Sequence, residues 1–95
     1  MDAPRIATSL VAGGFAACVN VVPGVLSVYR WRGNLERARE SLLVVKTTRS
    51  RLSACLARLV AVHPYEVPEA LVLTPGTGLA AYLDWIVKMT RPRPT

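Results

Sequence analysis

His63-Pro64-Tyr65-Glu66-Val67-Pro68-Glu69 is the stretch around which the rest of this sequence is organised. It holds the only histidine, and it lies where a helical pattern of apolar residues ends and an extended pattern begins. Two prolines stiffen its backbone, since proline fixes its own φ and disfavours helix in the residue before it. An imidazole, a phenol and two carboxylates therefore lie close together in a rigid corner. Two interpretations are open: a small polar site, or a turn whose polar groups form hydrogen bonds with one another.

The composition describes a single small domain. Its 95 residues give a core that is adequate but not generous, and 52% of them are hydrophobic, which favours burial of apolar surface against other subunits. Twelve Lys and Arg against six Asp and Glu give a net charge of +6. That charge permits binding to an acidic partner without requiring it.

The cysteines and the apolar runs bear on the compartment. Cys18 and Cys55 show neither a CxxC motif nor a zinc spacing, which favours a reducing compartment, so we expect a cytoplasmic protein. The longest apolar run covers only residues 10–19, whereas a spanning helix needs roughly 20 residues, so no membrane is expected. Phe15-Ala16-Ala17-Cys18 resembles a lipoprotein cleavage box, but the leader before it would be short and without a positive start.

Apolar spacing predicts the element order helix, strand, strand, helix, strand, helix. The first half holds a helix over Pro4–Ala12, a strand over Phe15–Val22 that is broken or bulged at Pro23-Gly24, and a hairpin over Val25–Thr47. The second half holds a helix that Ser50 caps and Pro64 ends, a strand over Glu66–Thr74, and a helix from Leu79. Four consecutive apolar residues at 42–45 predict a strand buried on both faces. This order is a ferredoxin-like α+β pattern, an antiparallel sheet with helices on one face, whose first strand is missing.

The hairpin prediction places a two-residue type II′ loop at Gly33-Asn34. Trp31 would then face Glu36, and Arg30 would face Arg37, an unfavourable pair of like charges that a bulge could relieve. One side of the ribbon would be aromatic, with Tyr29 and Trp31. The other would carry four arginines, at positions 30, 32, 37 and 39, as an acidic-partner surface or as a solvated basic face.

Several runs together resemble the CutA divalent-cation-tolerance family. They are Ala16-Ala17-Cys18-Val19-Asn20, Pro23-Gly24 with Ser27, Tyr29, Trp31 and Gly33, Leu43 to Lys46-Thr47, the stretch from His63 to Glu69, and Tyr82 with Trp85. They occur in the family's order over roughly residues 6 to 90, so residues 1–95 are interpreted as a single CutA-like domain.

The resemblance implies a ferredoxin-like subunit in a tight homotrimer, similar in shape to the nitrogen-regulatory signalling trimers, with the ribbon pairing with neighbouring subunits. It also implies a link to copper or another divalent cation. Cys18 and His63 are the metal candidates, since thiolate and imidazole suit copper. The other candidates would line a ligand-binding or inter-subunit pocket, and they are Tyr29, Trp31, Lys46, Tyr65, Glu66, Tyr82 and Trp85. Each of these residues also has a purely structural interpretation in packing or hydrogen bonding.

Two departures from the family pattern are visible. The sequence starts at Met1 inside the first helix, so the domain is interpreted as N-terminally shortened. The reason would be a shortened gene product or an incorrect start site. We expect the chain to be less stable than its relatives. The four ribbon arginines stand where relatives often carry acidic residues, which removes any attraction for cations there.

Three functions remain open at this point. The first is a trimeric, metal-responsive protein of the CutA type, and the second is a trimeric signalling or scaffold protein that binds a small anionic ligand between subunits. The third, a nucleic-acid-binding accessory protein, is disfavoured because the aromatics and the arginines lie on opposite faces of the ribbon. No enzyme is predicted, because no second catalytic group is evident beside His63.

Overall fold

The computed structural model describes residues 2–63 and 69–92. Its elements run in the order α1 (Ala3–Ala12), β1 (Cys18–Trp31), β2 (Asn34–Lys46), α2 (Arg49–Val62) and α3 (Ala80–Met89). The two strands form one antiparallel sheet. This α+β arrangement is the predicted fold class, and it supplies the frame on which the candidate residues are placed.

The core lies between α1, α2 and one end of the sheet. Ile6 and Leu10, four residues apart on α1, are 4% and 0% exposed, and they pack with Ala16 and with Cys55 of α2. Val19, Leu43 and Val45 cover this cluster from the sheet. α1 begins one residue before the predicted Pro4, because the Asp2 carboxylate caps it by accepting a hydrogen bond from the Arg5 backbone N–H at 3.0 Å.

The start of α2 differs from the prediction that Ser50 caps it. Thr48 is the N-cap, with extended backbone angles, and Ser50 already lies in the first turn. The Thr47 hydroxyl donates to the Phe15 carbonyl oxygen at 2.7 Å, which ties the chain to the core just before the helix begins. At the other end α2 stops at His63, as predicted.

The turn between the strands is one residue earlier than predicted. Trp31 pairs with Asn34, so the two-residue loop is Arg32-Gly33 rather than Gly33-Asn34. Both loop residues have positive φ, 50° and 81°, as a type I′ turn requires. Arg30 therefore faces Leu35, the predicted Arg30–Arg37 clash is absent, and Arg32 lies in the turn instead of on the arginine side.

The predicted break at Pro23-Gly24 is a bulge within one long strand. Val22 pairs with Leu42 and Val25 with Glu40, so two residues of β1 stand opposite one residue of β2. Gly24 has φ 71°, a conformation that glycine adopts without steric cost. The strand begins at Cys18, three residues later than predicted, and runs through the bulge to Trp31.

The end of β2 is covered on one face only, which corrects the prediction of a strand buried on both. Leu43 and Val45 pack on the core, whereas Leu42 and Val44 are 52% and 43% exposed. Side chains alternate between faces along a strand, and the core-forming helices pack on the face that holds Leu43 and Val45. The opposite sheet face, which includes Val22, Leu42 and Val44, is called the uncovered face below.

The predicted strand over Glu66–Thr74 is not formed in the part that the structure describes. Residues 69–79 have no strand assignment, and Leu71 and Leu73 are 85% and 88% exposed. A strand exists only with a hydrogen-bonded neighbour, and the described sheet consists of β1 and β2 alone. The remaining part of that prediction, residues 66–68, lies outside the described residues.

The last helix, α3, begins one residue after the predicted Leu79 and buries little of its surface. Ile86 is 8% exposed, while Tyr82, Leu83 and Trp85 are each about 40% exposed. Within residues 2–63 and 69–92, no helix has both the length and the apolar character needed to cross a membrane.

Candidate functional site

The structure brings together three of the predicted pocket residues at the end of β2. The Lys46 ammonium lies 5.9 Å from the centroid of the Tyr82 ring. Tyr82 and Trp85, three residues apart on α3, stack with their ring centroids 5.8 Å apart. A partly exposed cation beside two aromatic rings can bind a small anionic or planar ligand.

Cys18 lies beside this group. It pairs with Lys46 across the sheet, so the two side chains share one face, which is the uncovered face. The backbone N–H of Ala17 donates to the Lys46 carbonyl oxygen at 2.8 Å and fixes the two strand ends together. The Cys18 thiol is free and half-buried, so it is available as a soft metal ligand.

His63, the second predicted metal ligand, lies elsewhere. It is the C-cap of α2, where its backbone N–H donates to the Leu59 carbonyl oxygen at 2.9 Å. The helix spans Arg49–Val62, which at 1.5 Å per residue is about 21 Å, and its other end adjoins β2 and hence Cys18. One chain therefore does not bring the two candidate ligands together.

No group of three or more His, Cys, Asp or Glu side chains that could hold a metal ion is formed by the described residues. The donors placed by a single chain therefore do not make a complete metal site. Tyr65 and Glu66, the predicted pocket residues nearest His63, lie outside the described residues.

Tyr29 and Trp31 are also separated from Lys46 within one chain. Tyr29 is eleven residues from Cys18 along β1, about 35 Å of extended strand. Both aromatic side chains are exposed, at 41% and 56%, and they project to the same side of the ribbon as Glu36. The guanidinium of Arg32 lies 5.6 Å from the Trp31 ring, so the indole is held at the hairpin tip.

Cys55 serves the core rather than a site. It is 5% exposed among apolar neighbours, and burial raises the pKa of its thiol while the nearby Arg51 guanidinium lowers it. Burial is the larger effect, so the thiol stays neutral, and a neutral thiol is a poor metal ligand.

Sequence reasoning did not find the continuity of the uncovered face. The bulge changes which residues of β1 point to that face, so Ser27, Tyr29 and Trp31 join it beyond the bulge, next to Glu36 and Glu40 of β2. Ser27 and Glu40 are linked by a 2.9 Å hydrogen bond from the hydroxyl to the carboxylate. The signal was present in Pro23-Gly24, but the number of residues bulged had to be known before the faces could be assigned.

Comparison with known families and proteins gives a consistent result. The family model described as CutA1 divalent ion tolerance protein matches residues 1–89. The divalent-cation tolerance protein CutA of Thermus thermophilus is 46% identical over 88 residues, which are 93% of this chain and 85% of that protein. The chloroplastic protein CutA 1 of Oryza sativa is 42% identical over 87 residues, and this chain spans only 49% of its length.

The fold agrees with solved structures as well. The solved structure of the divalent cation tolerance protein from Thermus thermophilus superposes with a TM-score of 0.90 at 45% identity. The match covers 94% of this chain and 86% of that one, so nearly all of the described architecture is shared.

Proposed function

This chain belongs to the CutA1 divalent ion tolerance family, and from that membership we propose that it contributes to tolerance of divalent cations by binding them as a homotrimer, without catalysing a reaction. The observation that carries the proposal is the uncovered face. It carries exposed apolar side chains and the candidate thiol.

The uncovered face supports the assembly. Its exposed apolar side chains are Val22 at 43%, Leu42 at 52%, Val44 at 43%, Tyr29 at 41% and Trp31 at 56%. A small domain that leaves several apolar side chains of one sheet face exposed to water gains stability by packing that face against copies of itself. A closed ring of three subunits would give every copy the same contact.

The placement of Cys18 supports a metal site within that assembly. Cys18 projects from the uncovered face, so packing this face around a shared axis would bring one thiol from each copy toward the others. Thiolates suit copper, and three of them would provide the ligands that one chain lacks. His63, at the far end of α2, would join such a site only from a neighbouring copy.

Native mass spectrometry of the chain, titrated with copper under reducing and oxygen-free conditions, tests both parts of the proposal. We expect a trimer that takes up copper in a fixed ratio, with uptake reduced by Cys18→Ser and unchanged by Cys55→Ala. The second variant removes a thiol of equal chemistry from the core. A trimer with the same uptake in both variants would refute the role of Cys18 while leaving the assembly intact.

A second candidate is a trimeric signalling or scaffold protein that binds a small anion between subunits. The Lys46 ammonium beside the Tyr82 and Trp85 rings favours it. Lys46→Gln should then abolish binding of an anionic ligand such as a nucleotide while copper uptake persists. If instead copper uptake falls with Lys46→Gln and no anion binds, this candidate is wrong.

We place this activity in the cytoplasm. Both cysteines are free thiols, which suits a reducing compartment. Localisation of a tagged full chain by cell fractionation checks this part of the proposal.

A further inference from the structure

The hairpin has a side on which every charged group is a guanidinium. Beyond the bulge, the residues opposite the uncovered face are Leu26, Val28, Arg30, Leu35, Arg37 and Arg39, and together they are called the arginine face. Each cross-strand pair on this face joins one arginine to one aliphatic residue. Glu36 and Glu40, the carboxylates of β2, project from the other side of the ribbon.

The groups on the arginine face have few partners inside the chain. In residues 2–63 and 69–92 no ion pair involves Arg30 or Arg37, and both side chains are exposed. Arg39 donates from Nη1 to the Gly24 carbonyl oxygen at 3.2 Å, which leaves the rest of its guanidinium fork exposed. The aliphatic residues are exposed too, Leu26 at 48%, Val28 at 54% and Leu35 at 69%.

This mixture of groups discriminates between classes of partner. A single-stranded nucleic acid would want aromatic rings among the arginines, but Tyr29 and Trp31 lie on the other side. A lipid surface would want the apolar and the charged groups on separate faces, whereas here they alternate across the strands. Arginines interleaved with exposed aliphatic side chains match a protein surface that offers carboxylates beside apolar residues.

We propose that the arginine face docks an acidic, partly apolar segment of a partner protein. Arginine forks bind carboxylates in a bidentate way, and the aliphatic residues between them would cover apolar side chains of the same segment. The arginine face is the side of the ribbon away from the uncovered face, and it carries neither Cys18 nor the apolar residues of the proposed assembly.

The test is binding of a fluorescently labelled synthetic peptide of alternating Glu and Leu, followed by anisotropy at low and at physiological salt. Binding should weaken as salt is added, since exposed charges are screened. The double variant Arg30→Glu with Arg37→Glu should weaken binding by about tenfold, the effect of reversing two exposed ion pairs. The matched control, Arg49→Glu with Arg91→Glu, changes the net charge equally on exposed sites off the ribbon and should leave affinity within about twofold.

The aliphatic part is tested separately. Val28→Ser with Leu35→Ser should weaken the Glu–Leu peptide but leave poly-L-glutamate binding unchanged. Circular dichroism and native mass spectrometry confirm that each variant is folded and assembled as the parent is; if the glutamate pair is not, Arg30→Gln with Arg37→Gln replaces it, with a smaller expected loss.

Two results would overturn the proposal. One is an equal loss of peptide binding in the control pair, which would assign the binding to net charge alone. The other is that single-stranded DNA, or vesicles rich in phosphatidylglycerol, bind more tightly than the peptide does and lose affinity in the Arg30→Glu with Arg37→Glu variant. Absence of copper uptake in the same preparation would count against the proposed function and not against this docking surface.

Discussion

Leu10 has no exposed surface and lies at the centre of the packed cluster formed by α1, α2 and the sheet. Leu10→Ala should lower the free energy of unfolding by about 2–5 kcal/mol, because it removes buried methyl groups and leaves a cavity. Urea denaturation followed by circular dichroism measures the change. Val11→Ala is the matched control, since Val11 is 38% exposed and should cost well under half as much.

Cys55 links stability to alkaline pH. Burial raises the pKa of its thiol in the folded chain, so the fold favours the protonated form. This contribution is complete below the ordinary thiol pKa of 9.0 and is lost as the pH rises through the higher folded value.

The measurement is the free energy of unfolding of the parent and of Cys55→Ala from pH 7 to 11. The difference between the two proteins is the informative quantity, because every other titratable group is common to both. The parent should lose more stability above pH 9.0 than the variant does. Parallel curves would show that the thiol does not carry the effect.

Single residues were the easiest features to predict from the sequence. Ile6 and Leu10 lie four residues apart, which is the spacing of one helix face, and Cys55 follows the apolar spacing of α2; all three are buried. The N-cap position of Thr48 was missed, because Thr48 and Ser50 are both of a residue type that caps helices and the Thr48 side chain makes no capping hydrogen bond.

At the scale of elements, the hairpin turn depends on Gly33. Its φ of 81° is in the left-handed region, and a Cβ there would meet nothing within 4 Å, so Gly33→Ala acts through the backbone alone. The substitution should destabilise the chain by about 1–2 kcal/mol. Thermal unfolding checks this, with Gly76→Ala as control, because Gly76 also has open space but no positive φ.

The helices and the hairpin were predictable because their signals are local. The spacing of apolar residues, Pro4 at a helix start and the glycine of the hairpin turn each determine structure over only a few residues. The register of the hairpin was not predictable in the same way. Gly33-Asn34 suits a type II′ loop, but the chain forms a type I′ loop with Arg32 at positive φ. The strand predicted over Glu66–Thr74 failed in its described part because alternation identifies a strand but says nothing about its hydrogen-bonding neighbour.

At the scale of the whole molecule, the proposed trimer depends on the uncovered face. Val44→Asp places a charge in the middle of that face, and a buried unpaired charge opposes packing. If the parent is the proposed trimer, we expect this variant to be a monomer by analytical ultracentrifugation. Val60→Asp, on an α2 side chain that is 61% exposed, should leave the trimer intact.

The candidate site was predicted in its members but not in its arrangement. Family-like motifs singled out Lys46, Tyr82 and Trp85, and the structure brings these three together. The same motifs singled out His63, the C-cap of α2, and Cys18, a β1 residue that lies near the other end of α2. Motifs report which residues are present, whereas the distance between those residues depends on how the helices and strands that carry them pack.

The bulge at Pro23-Gly24 has a consequence for how insertions and deletions would act on this chain. Along β2 the odd-numbered residues keep to one side throughout, while along β1 the parity changes at the bulge. Loss of one residue there would remove the extra residue of β1 and leave Val25 opposite Glu40, so Tyr29 and Trp31 would keep their present side. The bulge can thus absorb the loss of one residue from β1 without exchanging the two surfaces of the hairpin beyond it.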